Sequence, residues 1–252
     1  MQFKVCGKSD IGKRRTNNQD AYLIDKELAF FIVADGMGGH AGGEIASAET
    51  VEAVHDMIVR NRDAISAFSK QPINRESSVA ISRLLESSVQ SATYMVYGMA
   101  EQNPEKKGMG TTVSVLLLAG SFAITAQVGD SRIYCIREGE TFQLTEDHTL
   151  VNWQIREGVL TREQAERVSY KNIITRAVGS KDYVDVDTQV ISVSPGDKFL
   201  ICSDGLHGYI SRSKISHIFE SPIDTVCEKM INFANEQGGK DNITAIAIEV
   251  TG

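Results

Sequence analysis

Three apolar runs in this chain each stop on an aspartate set beside glycine or serine. Phe30 to His40 reads Phe-Phe-Ile-Val-Ala-Asp-Gly-Met-Gly-Gly-His. Phe122 to Asp130 reads Phe-Ala-Ile-Thr-Ala-Gln-Val-Gly-Asp, and Phe199 to Gly205 reads Phe-Leu-Ile-Cys-Ser-Asp-Gly. Runs of this kind suit buried strands. A carboxylate at the end of a buried strand is costly unless something pairs with it. Gly36, Gly38 and Gly39 remove side chains, so backbone can approach whatever sits beside Asp35. Three such endings suggest several carboxylates converging on a hard cation, although spacing along the chain does not itself show convergence.

The 252 residues suffice for a sizeable core, and residues 1–252 read as a single domain. A net charge of −7 argues against nucleic acid as a partner, because phosphate backbones need basic stripes. The longest apolar run, Val113 to Gly120, falls well short of the roughly 18 residues of a membrane span. The opening Met-Gln-Phe-Lys-Val lacks the features of a signal peptide. Cys6, Cys135, Cys202 and Cys227 are widely spaced with no Cys-x-x-Cys pair, and Cys135 and Cys202 read as buried free thiols. These features point to a cytoplasmic protein without a membrane partner.

Residues 2–9 and 20–26 read as strands around a polar loop, and Ala29 to Ala34 as the first buried strand. Ile45, Ala48, Val51, Val54, His55 and Ile58 recur at helical spacing. Residues 60–75, polar and containing Pro72, read as a loop. A long helix is expected from about Glu76 to Glu101, closed by Asn103-Pro104. Strands follow at Thr111–Leu118, Ser121–Val128 and Arg132–Ile136, then a shorter one ending near Leu144. Residues 145–180 are polar and helical in pieces, and read as an inserted flap with Trp153 packed inside it. Strands at Asp187–Val193 and Lys198–Cys202, helices near Arg212–Phe219 and Pro222–Glu236, and a strand at Ile243–Val250 complete the chain. Short connections between strands and helices in blocks argue for an α+β fold, two antiparallel sheets with helices outside.

The candidate metal ligands are Asp20, Asp35, Asp130, Asp204 and Asp241, each at a strand end or tight turn. Carboxylates within about 4–6 Å of one another need cations between them or raised pKa values. An oxygen-only donor set selects Mg²⁺ or Mn²⁺ over zinc. Taken one at a time, an Asp-Gly pair is an ordinary turn.

The ordered segments carry more. Ser9-Asp10-Ile11-Gly12 with Arg15-Thr16-Asn17-Asn18-Gln19-Asp20, Val33-Ala34-Asp35-Gly36-Met37-Gly38-Gly39-His40, Gly110-Thr111-Thr112, Val128-Gly129-Asp130-Ser131-Arg132, Cys202-Ser203-Asp204-Gly205-Leu206 and Gly239-Lys240-Asp241-Asn242-Ile243-Thr244 follow one another along the chain. In that order they resemble the PPM (type 2C) family of metal-dependent protein serine/threonine phosphatases, in its bacterial single-domain form. The resemblance implies a four-layer αββα sandwich with two divalent cations, Mn²⁺ or Mg²⁺, at one end. It implies that Asp35 bridges both, that the Gly36 carbonyl binds one, and that Asp204 and Asp241 bind the other. Asp130 matches a residue that, with Asp204, holds a third, weaker metal. Asp20 is expected to orient water, and Arg15 to grip the substrate phosphate. The implied reaction is in-line attack of metal-activated water on phosphoserine or phosphothreonine.

Two positions depart from the pattern. Gln19 stands where many members carry Glu, and Met37 where animal-type members carry a histidine; His40, three residues on, need not replace it. His55 reads as a packing residue and His217 as surface. His148 is a candidate substrate neighbour and His207 a candidate support for the metal ligands. Asp185 and Asp187 alternate with valines, as on the wet face of an edge strand. No cysteine sits in a Cys-x5-Arg loop, against a cysteine-based phosphatase. The resemblance further implies phosphoprotein substrates, an opposing serine/threonine kinase and a monomer. Two other readings fit the same residues: a non-catalytic binder of phosphoproteins, and a dimetal hydrolase of small phosphoesters.

Overall fold

A computed structural model describes residues 1–38, 42–70 and 75–252, without the side chain of Arg75. Gly39 and His40 of the glycine-rich segment, and Pro72, lie outside the described residues. The strands are β1 (Phe3–Asp10), β2 (Asp20–Asp25), β3 (Phe30–Met37), β4 (Gly110–Thr111), β5 (Val113–Ala119), β6 (Phe122–Val128), β7 (Arg132–Arg137), β8 (Glu140–Gln143), β9 (Asp187–Ser192), β10 (Lys198–Cys202) and β11 (Ile243–Val250). The helices are α1 (Gly42–Arg60), α2 (Arg62–Lys70), α3 (Arg75–Gln102), α4 (Leu150–Arg156), α5 (Arg162–Ala165), α6 (Asp204–His207), α7 (Arg212–Ile218) and α8 (Ile223–Glu236).

One sheet has the order β1-β11-β10-β7-β8; the other runs β2-β3-β5-β6-β9, with β4 joined to β3. Neighbouring strands are antiparallel. The strand period of two divides each apolar run between two layers. Phe31 and Val33 of β3 enter the core between the sheets, with Leu116, Phe199, Ile201, Ile246 and Ile248. Phe30, Ile32 and Ala34 face the other way, onto Val54, Ile58, Leu85 and Val89 of α1 and α3. On the first sheet, Leu200, Cys202, Ala245 and Ala247 meet Ile215, Val226 and Met230 of α7 and α8. Both faces of the central strands are therefore covered, which explains why their sequences are continuously apolar instead of alternating. Fully burying each such Ile, Leu or Phe contributes about 1.5–3 kcal/mol. The expected αββα sandwich is observed.

Three readings need correction. Residues 62–70 form α2, where a loop was expected; Ile65 and Phe68, three apart and buried, anchor it on the second sheet's helical layer. Asp204 opens a one-turn helix, α6, where the sequence suggested only a turn. Trp153, expected to pack within the flap, is 51% exposed. The flap itself lies where expected, between β8 and β9. It is tied to the body by a Thr111–Val178 bridge and closed on itself by a Thr149–Ile174 bridge.

Candidate metal centre

The register of β2 against β3 sets Asp20 directly opposite Asp35. Both strands belong to the second sheet, yet Asp20 reaches across to the first. Its Oδ2 accepts hydrogen bonds from Thr244 Oγ1 at 2.6 Å and Ser203 Oγ at 2.8 Å. Its Oδ1 is buried without a hydrogen-bond partner. Burial first, then the fields of Asp204 and Asp241, push the Asp20 carboxyl up to about 6 despite both hydroxyls.

Asp35 is fixed through its backbone. Its N–H donates to Thr112 Oγ1 at 3.0 Å, and its carbonyl accepts from Thr112 N–H and Thr111 Oγ1, both at 2.9 Å. Burial, then the charges of Asp20, Asp204, Asp130 and Asp241 in that order, drive its carboxyl well above the usual range. Gly36 donates its N–H to the Gln19 carbonyl, and a Cβ here would collide with the Gly43 carbonyl. No residue with a side chain fits where β3 passes α1.

Asp204 sits at the first position of α6, where the chain leaves β10. Burial, followed by the charge of Asp241, raises its pKa, and the Asp35 side chain and Arg15 act against the rise. Gly205 is required next, since a Cβ would strike the Asn242 carbonyl. Asp241 precedes β11 and accepts from Arg15 Nη2 at 2.7 Å and from Asn242 N–H at 2.9 Å. Arg15 and Asp241 are both partly solvated. Asn242 laces the Arg15 loop in place: its Nδ2 donates to the Ile11 and Asn17 carbonyls at 3.0 Å, and its Oδ1 accepts Gln19 N–H at 2.8 Å.

Asp130 occupies the turn from β6 to β7, after Gly129, whose φ of 97° suits glycine. It is buried, and desolvation, then Asp204 and Asp147, lift its carboxyl to about 7. His207 Nε2 donates to the Asp130 carbonyl at 2.9 Å. Burial, then the charge of Arg132, lowers His207 to about 4, so the ring is neutral at pH 7 and holds the turn by that one bond. His148, named as a candidate substrate neighbour, is buried. Its Nδ1 accepts Gly129 N–H at 3.1 Å, and its Nε2 meets Asp187 Oδ2 at 3.1 Å. Asp187 also takes Arg176 Nη1 at 2.8 Å, so a residue of edge strand β9 fastens the flap beside Asp130. His55 packs as expected, against Phe30, and pairs with Asp25 at 2.8 Å. His217 is exposed beside Glu220.

Sequence reasoning assigned no role to Thr112, Ser131, Ser203, Thr244 or Asn242, although all lie in the ordered segments. It also missed the fork of Arg132 on Asp147, Nε to Oδ1 at 2.9 Å and Nη2 to Oδ2 at 2.6 Å. Beside Asp130 and Asp204 opens a cavity of about 470 Å³, bounded on the flap side by Asn152, Arg162 and Lys171.

A hard dication fits this donor set. The carboxylates of Asp20, Asp35, Asp130 and Asp204 are buried or partly buried, each feels the charge of others in the group, and Asp20 Oδ1 lacks a protein partner. Every available donor is oxygen, which matches Mg²⁺ or Mn²⁺. Among the described residues no three His, Cys, Asp or Glu side chains already surround one point. Mg²⁺ keeps several waters and needs few protein oxygens, so a finished cage is not required.

Residues 6–246 match the family model described as protein phosphatase 2C. The protein phosphatase PhpP of Streptococcus pneumoniae serotype 2 is 39% identical over 247 residues, 96% of this chain and 95% of its own. The structure of the S. agalactiae serine/threonine phosphatase superposes with a TM-score of 0.85 at 34% identity, over 99% of this chain and 100% of that one. The catalytic domain of the serine/threonine protein phosphatase PstP, in complex with two manganese ions, gives 0.81 at 30% identity over 99% of each chain.

Proposed function

The chain belongs to the protein phosphatase 2C family, and from that premise we propose how its own residues carry out metal-dependent hydrolysis of phosphoserine and phosphothreonine in proteins. The observation that carries the reading is the convergence of Asp20, Asp130, Asp204 and Asp241 around the buried carboxyl of Asp35 at one mouth of the sandwich. Asp35, the Gly36 carbonyl, Asp204 and Asp241 would together hold two divalent cations. Asp130 would hold a third, more weakly, with Asp204. Mn²⁺ or Mg²⁺ bound there supplies positive charge that acidifies water and draws in phosphate oxygens.

The protein's own groups do the rest. Asp20, braced by Ser203 and Thr244, keeps Oδ1 free to accept a proton-bearing water and aim it at phosphorus. Arg15 gives one N–H to Asp241 and keeps others for the phosphate, as a planar fork whose charge offsets that of the equatorial oxygens. His207 and Thr112 hold the Asp130 and Asp35 backbones in register, and the flap shields the cavity beside them. Residues 1–252 work as one phosphatase domain, cytoplasmic and monomeric, opposing a serine/threonine kinase.

The test is turnover of a phosphothreonine peptide by the purified chain with Mn²⁺ or Mg²⁺, against the same protein in chelator and against a small phosphate ester. Turnover should need the cation and favour the peptide. Asp35→Ala and Asp204→Ala should each abolish it. Cation binding without turnover would instead mark a phosphoprotein-binding regulator, and preference for the small ester a general phosphoester hydrolase.

A further inference from the structure

Cys6 lies in β1 and Cys227 in α8, 221 positions apart along the chain, on the outer side of the first sheet. Their Sγ atoms are 2.8 Å apart, and Cys227 Sγ is 3.3 Å from the Cys6 carbonyl oxygen. A disulfide needs about 2.0 Å between sulfurs, so closing the bond takes a movement of under about 1 Å. Cys6 is partly exposed while Cys227 is buried. Among the described residues the pair shares no hydrogen bond with the metal-centre residues.

We propose that Cys6 and Cys227 form a redox modification site, in which hydrogen peroxide oxidises Cys6 and Cys227 then closes a reversible disulfide fastening α8 to β1. In the first step the Cys6 thiolate attacks the peroxide O–O bond; with a proton, Cys6 becomes a sulfenic acid and one water leaves. In the second the Cys227 sulfur attacks the Cys6 sulfur, the S–O bond breaks, and the hydroxyl departs with the Cys227 proton as a second water. Two thiols are oxidised and one peroxide is reduced.

The environments divide the labour. The contact with Cys227, outweighing burial and aided by the Ala247 backbone, holds the Cys6 thiol down to about 7, whereas Cys227 is pushed up by the same contact. The thiolate is the nucleophile, so Cys6 reacts first. Cys135 and Cys202 are the internal controls: burial raises them to about 11 and about 12. The bond would join two elements that already meet further on, where Asn235 Nδ2 of α8 donates to Asp10 Oδ1 of β1 at 3.0 Å. The proposal stands apart from the phosphatase reading and is tested apart from it.

The full chain is treated with hydrogen peroxide, alkylated after denaturation and mapped without reduction. The expected result is loss of two hydrogens, a Cys6–Cys227 linked peptide, reversal by dithiothreitol and a higher thermal midpoint for the oxidised protein. Cys227→Ser should leave a Cys6 sulfenic acid that dimedone traps, and Cys6→Ser should give neither bond nor label. Four alkylatable thiols after peroxide, a bond between any other pair or between two chains, a wild-type Cys6 that runs on to sulfinic acid, or a lower midpoint on oxidation would each overturn the proposal. The wild-type map does not depend on either variant folding.

Discussion

Arg15 donates one N–H to Asp241 at 2.7 Å from a loop that Asn242 pins at three backbone positions. Asp241 raises the guanidinium pKa first through that hydrogen bond, against the cost of desolvation, so the charge is permanent. A hydrogen bond to a charged group is worth about 1.5–3 kcal/mol, equivalent to roughly a tenfold to hundredfold change in binding. Arg15→Ala should therefore raise KM for a phosphopeptide by about that factor, with a smaller change in kcat. Arg15→Lys should recover little, because an ammonium cannot form the planar fork. Steady-state kinetics decide it, and an unchanged KM would remove Arg15 from phosphate binding. At this scale the sequence made the aspartates and Arg15 legible, because each sits inside a short ordered segment. The residues that hold them were not legible as holders. Nothing in Thr112 or Asn242 announces a partner 77 or more than 200 positions away.

Between elements, one forked polar joint lies away from the metal centre. Arg137 of β7 forks onto Asp197, Nε to Oδ1 at 2.8 Å and Nη2 to Oδ2 at 2.7 Å, and also donates to the Ser192 carbonyl at 2.9 Å. Asp197 lies in the turn that carries the chain from β9 of one sheet to β10 of the other, and is 3% exposed. Burial raises its carboxyl, but Arg137 and the Ser194 N–H outweigh that and hold it below the usual carboxylate range. Asp197→Ala leaves a guanidinium and a backbone N–H without their acceptor, so it should lower stability by about 1–3 kcal/mol in urea unfolding at neutral pH. The sign of the pH effect follows from the depressed folded value. The contribution is complete above the unfolded value of about 4 and is lost as pH falls through the lower folded one. The gap between wild type and variant should therefore close only in acid; a gap that closes between pH 8 and 6 would exclude this origin. Of the elements, long strands and helices were readable from periodicity. α2 was not, because two anchors, Ile65 and Phe68, in a polar stretch give too weak a pattern. Trp153 was misread for a related reason: an aromatic in an insertion carries no sign of which side faces water.

For the molecule as a whole, the apolar pattern could not say which face of each run meets the other sheet, since both faces are buried. The order of strands is seen only in the structure. That order has an electrostatic consequence. Asp20 and Asp35 come from the second sheet, Asp204 and Asp241 from ends of the first, and Asp130 from the turn that passes between them. Their repulsion acts across the mouth of the sandwich and pushes the two sheets apart, while cations seated there would draw them together. Ligand linkage gives about 2.7 kcal/mol for one site at a hundred times its dissociation constant. At roughly 2–4 °C per kcal/mol for a chain of this size, Mn²⁺ should raise the thermal midpoint by about 5–10 °C over the protein in chelator. Asp35→Ala should lose most of that gain, and without cation it should unfold no earlier than wild type. The reason is that burial and four acidic neighbours all raise the wild-type carboxyl well above the usual range. Asp197→Ala should lower the midpoint equally with and without Mn²⁺, because its joint lies away from the mouth. Equal midpoints for wild type with and without cation would mean that no ion bridges the sheets, and the five carboxylates would then have to share protons instead.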